Sequence, residues 1–79
     1  MTVMDADGII RLDLCGLKCP LNWAHAKVRL EVMSRGETIE LTIDDPRGAR
    51  DIPRAAEAEG YAITRIEEAD GVWRLWIEK

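Results

Sequence analysis

The chain is organised around one stretch, Ile9-Ile10-Arg11-Leu12-Asp13-Leu14-Cys15-Gly16-Leu17-Lys18-Cys19-Pro20. Apolar side chains at every second position of residues 10–14 predict a first strand. Residues 20–34 are rich in helix-forming residues and predict a helix. Proline suits the first position of a helix, where its missing N–H would have no partner. The sequence therefore predicts a strand that delivers Cys19 to the N-cap of a helix, with Pro20 as the first helical residue.

Cys19 is the leading candidate for chemistry. A thiol at a helix N-terminus faces unpaired backbone N–H groups and the positive end of the helix dipole. Both favour the thiolate, which is the nucleophilic form. We expect Cys19 to carry a transferable group, most simply an extra sulfur as a persulfide, with the amides of Leu21 and Asn22 or their neighbours stabilising its charge. The alternative is an inert cysteine that packs as a small apolar residue.

Length and composition limit the classes of protein. The chain has 79 residues, 47% hydrophobic and 33% charged, with a net charge of −4. This predicts one globular domain over residues 9–79, preceded by a flexible leader over residues 1–8. The acidic N-terminus and the lack of a long apolar run predict a cytoplasmic protein that does not insert into membranes. Without a run of Lys or Arg, direct binding to nucleic acid is not expected.

The remaining elements follow from periodicity and turn signals. Predicted strands and helices after the first helix cover residues 38–43 (strand), 47–60 (helix), 61–67 (strand) and 72–78 (strand), with an Asp70-Gly71 hairpin turn. Asp44-Asp45-Pro46 predicts an N-cap and a first-position proline for the second helix. Because Pro53 lies inside this helix, we also expect an irregular opening near residues 46–50 and a regular helix from Asp51. The order β-α-β-α-β-β predicts an α+β fold: a two-layer sandwich with a four-stranded mixed sheet and two helices on one face.

A parallel first crossover would start both helices at the same end of the sheet. Ligands of open α/β sheets gather at that end. The candidates expected there are Lys18, Cys19, Asp44, Asp45, Arg47 and Arg50. Together with Arg54, the basic residues of this set could stabilise an anionic sulfur or meet an acidic partner; the alternative is ordinary solvated charge.

Cys15 and His25 have less specific settings. Cys15 could resolve an oxidised or persulfidated Cys19 through a disulfide, or be a plain residue at the end of a strand. A metal site built from Cys15, Cys19 and His25 lacks a fourth ligand, and the Cys-x3-Cys spacing is not that of a zinc knuckle. We therefore predict no metal and no cofactor, and a solvated His25.

The first helix carries two apolar stripes on nearly opposite sides. One comprises Trp23, Ala26, Leu30 and Met33, and the other comprises Leu21, Ala24, Val28 and Val32. A helix in a two-layer sandwich buries one face on the sheet. We expect the second set, called the α1 stripe below, to stay exposed as a docking surface beside Cys19, unless the second helix covers it.

The run Gly16-Leu17-Lys18-Cys19-Pro20 resembles the TusA/SirA-like family of sulfur carriers. The family motif is Gly-Leu-x-Cys-Pro-x-Pro after a strand that contains an Asp, here Asp13. Further similarity lies in Gly36-Glu37-Thr38, Asp44-Asp45-Pro46 and Asp51-Ile52-Pro53. The resemblance covers nearly all of residues 9–79, with two departures: Asn22 stands where the motif has its second proline, and Cys15 adds a second cysteine.

The resemblance implies the same βαβαββ sandwich and a role in sulfur transfer. A cysteine desulfurase or a rhodanese-like donor would load a persulfide on Cys19, and the carrier would pass the sulfur to an acceptor protein. Family end uses include thiolation of tRNA, cofactor assembly and sulfur oxidation, and turnover belongs to the partner proteins. Two rival functions stay open: a dithiol redox protein using Cys15 and Cys19, and a non-catalytic interaction module that docks through the α1 stripe.

Overall fold

The computed structural model describes residues 2–4 and 8–79. The elements are β1 (Thr2–Met4), β2 (Ile9–Asp13), α1 (Leu21–Val32), β3 (Thr38–Ile43), α2 (Pro46–Ala58), β4 (Ala62–Ala69) and β5 (Val72–Glu78). The strands form one sheet in the order β1-β2-β3-β5-β4. β2 and β3 are parallel and the other neighbours are antiparallel. The predicted α+β two-layer sandwich and the parallel first crossover are confirmed.

The N-terminal segment differs from the prediction. Thr2–Met4 form β1, which pairs antiparallel with residues 10–12 of β2, so the sheet has a fifth strand beside the four predicted ones. The outer edge of β2 offers unpaired backbone N–H and C=O groups, and β1 satisfies them. The prediction of a flexible leader over residues 1–8 is therefore wrong at Thr2–Met4. Residue 1 and residues 5–7 of that leader lie outside the described residues.

One core lies between the helices and the sheet. The buried apolar side chains are Leu12, Leu14, Ala26, Leu30, Met33, Ile39, Leu41, Ile43, Ile52, Ala56, Leu75 and Ile77. The strand positions follow a period of two and the helix positions follow a period of three to four, as expected for elements that bury one face. Within residues 8–79, no helix has the length and apolar character that crossing a membrane requires.

Two helix starts differ from the predicted boundaries. Pro20 has φ −96° and ψ 6°, outside the helical region, so Pro20 is the N-cap of α1 and Leu21 is its first residue. Cys19 therefore precedes the cap. α2 is regular from Pro46, which takes the first helical position because the Asp45 side chain caps the turn. Pro53 consequently lies inside α2, and the predicted irregular opening is wrong.

Candidate functional site

The loop between β2 and α1 is attached to the end of β3 through two neighbouring carboxylates. Asp44 Oδ1 accepts the Gly16 N–H at 3.0 Å, and Asp45 Oδ2 accepts the Cys19 N–H at 2.7 Å. Gly16 has φ +91°, a left-handed conformation that other residues rarely adopt. The parallel pairing of β2 with β3 brings these segments together, although Cys19 and Asp45 are 26 residues apart. Asp44-Asp45 thus fixes the path of the loop that carries Cys19.

Asp45 joins the two helix starts. Its carboxylate accepts the Cys19 N–H and also the Arg47 N–H, the latter at 3.2 Å in the first turn of α2. Asp45 is only 5% exposed. The Cys19 amide, followed by the amides of Arg47 and Gly48 and the charge of Lys18, lowers the pKa of the Asp45 carboxyl despite the opposing effect of desolvation. Asp45 is therefore ionised at neutral pH.

Cys19 is partly exposed and lies in an open pocket with basic walls. The pocket is lined by Lys18, Cys19, Asp45, Pro46 and Arg47. The predicted neighbours Lys18, Asp45 and Arg47 are thus brought together around the sulfur. The same pocket thus holds two cationic residues, Lys18 and Arg47, together with Cys19, which suits an anionic cargo.

Arg50 lies further along α2 and is paired mainly with Asp51. The two side chains are joined by a hydrogen-bonded ion pair, Arg50 Nε to Asp51 Oδ1, at 2.9 Å. That hydrogen bond and charge raise the pKa of Arg50, and Cys19 adds a smaller contribution of the same sign. The direct partner of Arg50 is therefore Asp51 rather than Cys19, and Arg54, the last of the predicted basic residues, is exposed one turn beyond it.

The first-turn amides of α1 are less available than predicted. The Asn22 N–H donates to the Lys18 carbonyl at 3.1 Å, and the Trp23 N–H donates to Asn22 Oδ1 at 2.8 Å. Asn22 therefore cannot stabilise the sulfur through its backbone N–H, contrary to the prediction. Among residues 8–79, the Leu21 N–H has no hydrogen-bond acceptor, and a role for it beside the sulfur stays a prediction.

Asn22 occupies a place that its sequence position did not reveal. Its side chain is fully buried, and its amide Nδ2 donates to Asp45 Oδ2 at 3.4 Å. The structure turns this polar group towards Asp45 and α2. The only sequence signal was a polar residue where the resembled motif has proline.

Cys15 has an acidic environment. Its N–H donates to Asp13 Oδ1 at 2.9 Å. Desolvation of the thiol, then its hydrogen bond to Asp13 and the negative charges of Asp13 and Asp44, raise the pKa of Cys15 to about 11. Cys15 and Cys19 are both free thiols. At neutral pH, Cys15 is therefore protonated and a poor nucleophile.

The α1 stripe is exposed, as predicted. Leu21, Val28 and Val32 are 58%, 62% and 72% exposed, so α2 does not cover them. An open groove beside β2 is lined by Leu12, Leu21, Ala24, His25, Val28 and Arg29. His25 lies in this groove and is exposed. In the part of the chain from residue 8 to residue 79, no three His, Cys, Asp or Glu side chains are grouped so that they could hold a metal.

The geometry defines a class: a small α/β sandwich that presents a partly exposed cysteine where two helices begin. The family model described as sulfurtransferase TusA matches residues 10–79. The chain therefore belongs to the TusA family, as the motif predicted.

Individual relatives agree with this assignment. The sulfur carrier protein TusA of Allochromatium vinosum is 32% identical over 74 residues, which cover 94% of this chain and 97% of the relative. The sulfur carrier protein TusA of Buchnera aphidicola is 28% identical, with 86% of each chain covered. The crystal structure of a SirA-like protein from Desulfitobacterium hafniense matches with a TM-score of 0.74 at 25% identity, covering 89% of this chain and 95% of that one.

Proposed function

We propose that this protein is a sulfur carrier that accepts a persulfide sulfur on Cys19 and relays it to an acceptor protein. The observation that carries the proposal is the placement of Cys19 in a TusA-family chain: partly exposed, held by Asp45, and flanked by Lys18 and Arg47. A relative covering nearly this whole chain is named a sulfur carrier protein. Pro20 and Gly16 shape the backbone on either side of the sulfur, and Arg50 adds positive field.

The transfer is a thiol–persulfide exchange. The Cys19 thiolate attacks the outer sulfur of a donor persulfide, and a new S–S bond forms while the donor S–S bond breaks. The bonding electron pair leaves on the donor thiolate. The proton of the outer sulfur stays on that sulfur as it moves to Cys19, so there is no net oxidation. Lys18 and Arg47 then flank the resulting persulfide, which is anionic when it loses that proton.

The partners are proteins of two kinds. A cysteine desulfurase or a rhodanese-like protein would supply the sulfur, and an acceptor in tRNA thiolation, cofactor assembly or sulfur oxidation would take it. The α1 stripe begins next to Cys19 and offers the apolar surface on which such a partner would dock. Free thiols suit a reducing compartment, and we propose that the protein acts in the cytoplasm.

The proposal is tested by loading the protein and measuring its intact mass. Incubation with a cysteine desulfurase and cysteine, or with thiosulfate and a rhodanese, should add one sulfur atom to the wild type and to Cys15→Ser. Cys19→Ser should gain none. Loading that persists in Cys19→Ser and disappears in Cys15→Ser would overturn the assignment.

The docking surface is tested with an exposed substitution. Val28→Asp places a charge in the α1 stripe without touching the core, since Val28 is 62% exposed. We expect loading from the desulfurase to slow by about tenfold or more, because burying an unpaired carboxylate at an interface is costly. Loading from a small persulfide should be unchanged, and Glu31→Asp on the same helix serves as the control. Equal rates for Val28→Asp and wild type with the protein donor would exclude this docking face.

The dithiol alternative has less support. A resolving Cys15 would have to attack as thiolate, yet desolvation and the neighbouring Asp13 and Asp44 raise the pKa of its thiol to about 11. A redox pair would lose two hydrogen atoms on mild oxidation, which the same mass measurement detects. The non-catalytic alternative predicts that Cys19→Ser keeps full function in the cell.

A further inference from the structure

Asn22 is a fully buried, uncharged polar side chain near Cys19, and its contacts connect both helices. Nδ2 donates to Asp45 Oδ2 at 3.4 Å, and Oδ1 accepts the Trp23 N–H at 2.8 Å. These contacts fix the orientation of the amide, because only its oxygen can accept an N–H and only its nitrogen can donate to a carboxylate. The side chain therefore has one orientation and one function in this position, which is to hold Asp45.

The space around Asn22 is equally specific. A Cβ atom at Gly48 would lie 2.4 Å from Asn22 Nδ2 and 3.3 Å from both Asn22 Cγ and Ile43 Cδ1. Any larger residue at position 48 would push the amide away from Asp45. Gly48 is thus the residue that allows α2 to pack against the Asn22 side chain.

Asp45 passes this constraint on to the sulfur-bearing residue. The oxygen that accepts from Asn22 is Oδ2, the same atom that accepts the Cys19 N–H at 2.7 Å. The other oxygen accepts the Arg47 N–H. Hydrogen bonds on both oxygens hold the Asp45 carboxylate in one rotamer. That rotamer fixes the position of the Cys19 backbone N–H, which donates to it.

We propose that Asn22 is a positioning residue for sulfur transfer: through Asp45 it fixes the Cys19 peptide, and Gly48 provides the room. The inference rests on the proposed function of Cys19 and adds a residue outside the motif cysteine and its basic neighbours. Asn22 does not touch the transferred sulfur, and it acts by keeping Cys19 in the geometry of attack, where small displacements lower rates strongly.

Three variants separate the contact from the packing. Asn22→Ala removes the amide and leaves space. Asn22→Asp fills the same volume but has no N–H to donate to Asp45. Gly48→Ala keeps Asn22 but displaces it. Ile52→Val is the matched control, because it truncates a buried side chain of α2 and removes no hydrogen bond of Asp45.

The experiment combines a spectroscopic and a kinetic measurement on the whole protein. The ¹H–¹⁵N resonance of the Cys19 amide reports its hydrogen bond to Asp45 directly, with Asp45→Asn as the reference for a weakened bond. The initial rate of sulfur uptake from glutathione persulfide reports the transfer. In all three variants of Asn22 and Gly48, we expect the Cys19 amide proton to move upfield towards its position in Asp45→Asn. We expect the rate to fall about tenfold, with one sulfur still added at completion.

The outcomes distinguish this inference from the proposed function. If the chemical shift of the Cys19 amide proton is unchanged in Asn22→Asp and Gly48→Ala, and the rate of sulfur uptake stays within twofold of wild type, Asn22 does not position Cys19. If Ile52→Val produces the same changes, the effect is one of general stability and the inference fails. If the wild type itself takes up no sulfur, the proposed function fails, while the amide resonance still tests the link from Asn22 to Cys19.

Discussion

The two cysteines lie four positions apart in one loop, yet the two ends of that loop differ in charge. Desolvation, then the hydrogen bond to Asp13 and the charges of Asp13 and Asp44, raise the pKa of the Cys15 thiol. Cys19 shares an open pocket with Lys18 and Arg47. The carboxylate of Asp45, which accepts the Cys19 N–H, also accepts the backbone N–H of Arg47. One end of the loop therefore disfavours a thiolate, and the other end can hold an anion.

The difference shows that proximity in sequence does not make two thiols chemically equivalent. Each end is anchored by a carboxylate that accepts the cysteine's own amide, Asp13 for Cys15 and Asp45 for Cys19. Asp13 also accepts a hydrogen bond from the Cys15 thiol, whereas Asp45 is buried and shared with α2. The same residue type thus suppresses one sulfur and positions the other.

The largest expected effect is on the reactivity of Cys15 in a variant that lacks Cys19. In Cys19→Ser at pH 7, a pKa of about 11 leaves about one Cys15 in ten thousand as thiolate. We expect iodoacetamide to alkylate Cys15 about two orders of magnitude more slowly in the folded protein than in the same variant unfolded in urea. The rate should rise tenfold per pH unit up to about pH 11. Equal alkylation rates in the folded and unfolded protein would show that the fold does not suppress the Cys15 thiolate, which contradicts the proposed difference between the two ends of the loop.

Neutralising Asp13 should reduce the contrast. Asp13→Asn keeps an oxygen for the Cys15 N–H but removes the negative charge, while desolvation, the largest cause of the shift, remains. We expect the pKa of Cys15 to fall and its alkylation rate at pH 7 to rise about tenfold. Sulfur loading on Cys19 should not change. If Asp13→Asn instead slows that loading, the two ends of the loop are coupled and the comparison must be revised.

The smallest expected effect is on stability at acid pH. The lowered pKa of Asp45 means that its ionised form stabilises the fold above the unfolded value of about 4. That contribution is lost as the pH falls through the folded pKa. The free energy of unfolding, measured by urea denaturation between pH 7 and pH 2, should therefore fall less steeply with falling pH in Asp45→Asn than in wild type.

Asp13→Asn should change that slope less, since Asp13 is exposed and Asp45 accepts from more amides. Asp70→Asn, in the exposed β4–β5 turn, is the neutral control and should keep the wild-type slope. An Asp45→Asn slope equal to that of Asp70→Asn would mean that the Asp45 anchor contributes nothing to the folded state.

Local patterns predicted most of the architecture. Alternation at residues 38–43 and the Asp70-Gly71 turn, where both residues have positive φ, were sufficient for β3 and the β4–β5 hairpin. The errors came where tertiary pairing overrides local preference. β1 has no strong pattern of its own and exists because β2 has a free edge. Pro53 lies within α2 because Asp45 and Pro46 start that helix a turn earlier than composition indicated.

By itself, the sequence determined the succession of β2, α1, β3, α2, β4 and β5, the Cys19-Pro20 placement before α1, and the meeting of two helix starts at one end of the sheet. These follow from periodicity and turn chemistry, which act between near neighbours. Only the tertiary structure decided that Asp45 anchors Cys19, that Asn22 is buried against Gly48, and that the α1 stripe stays exposed. The first two features join residues more than 20 positions apart, and their geometry is set by the parallel pairing of β2 and β3.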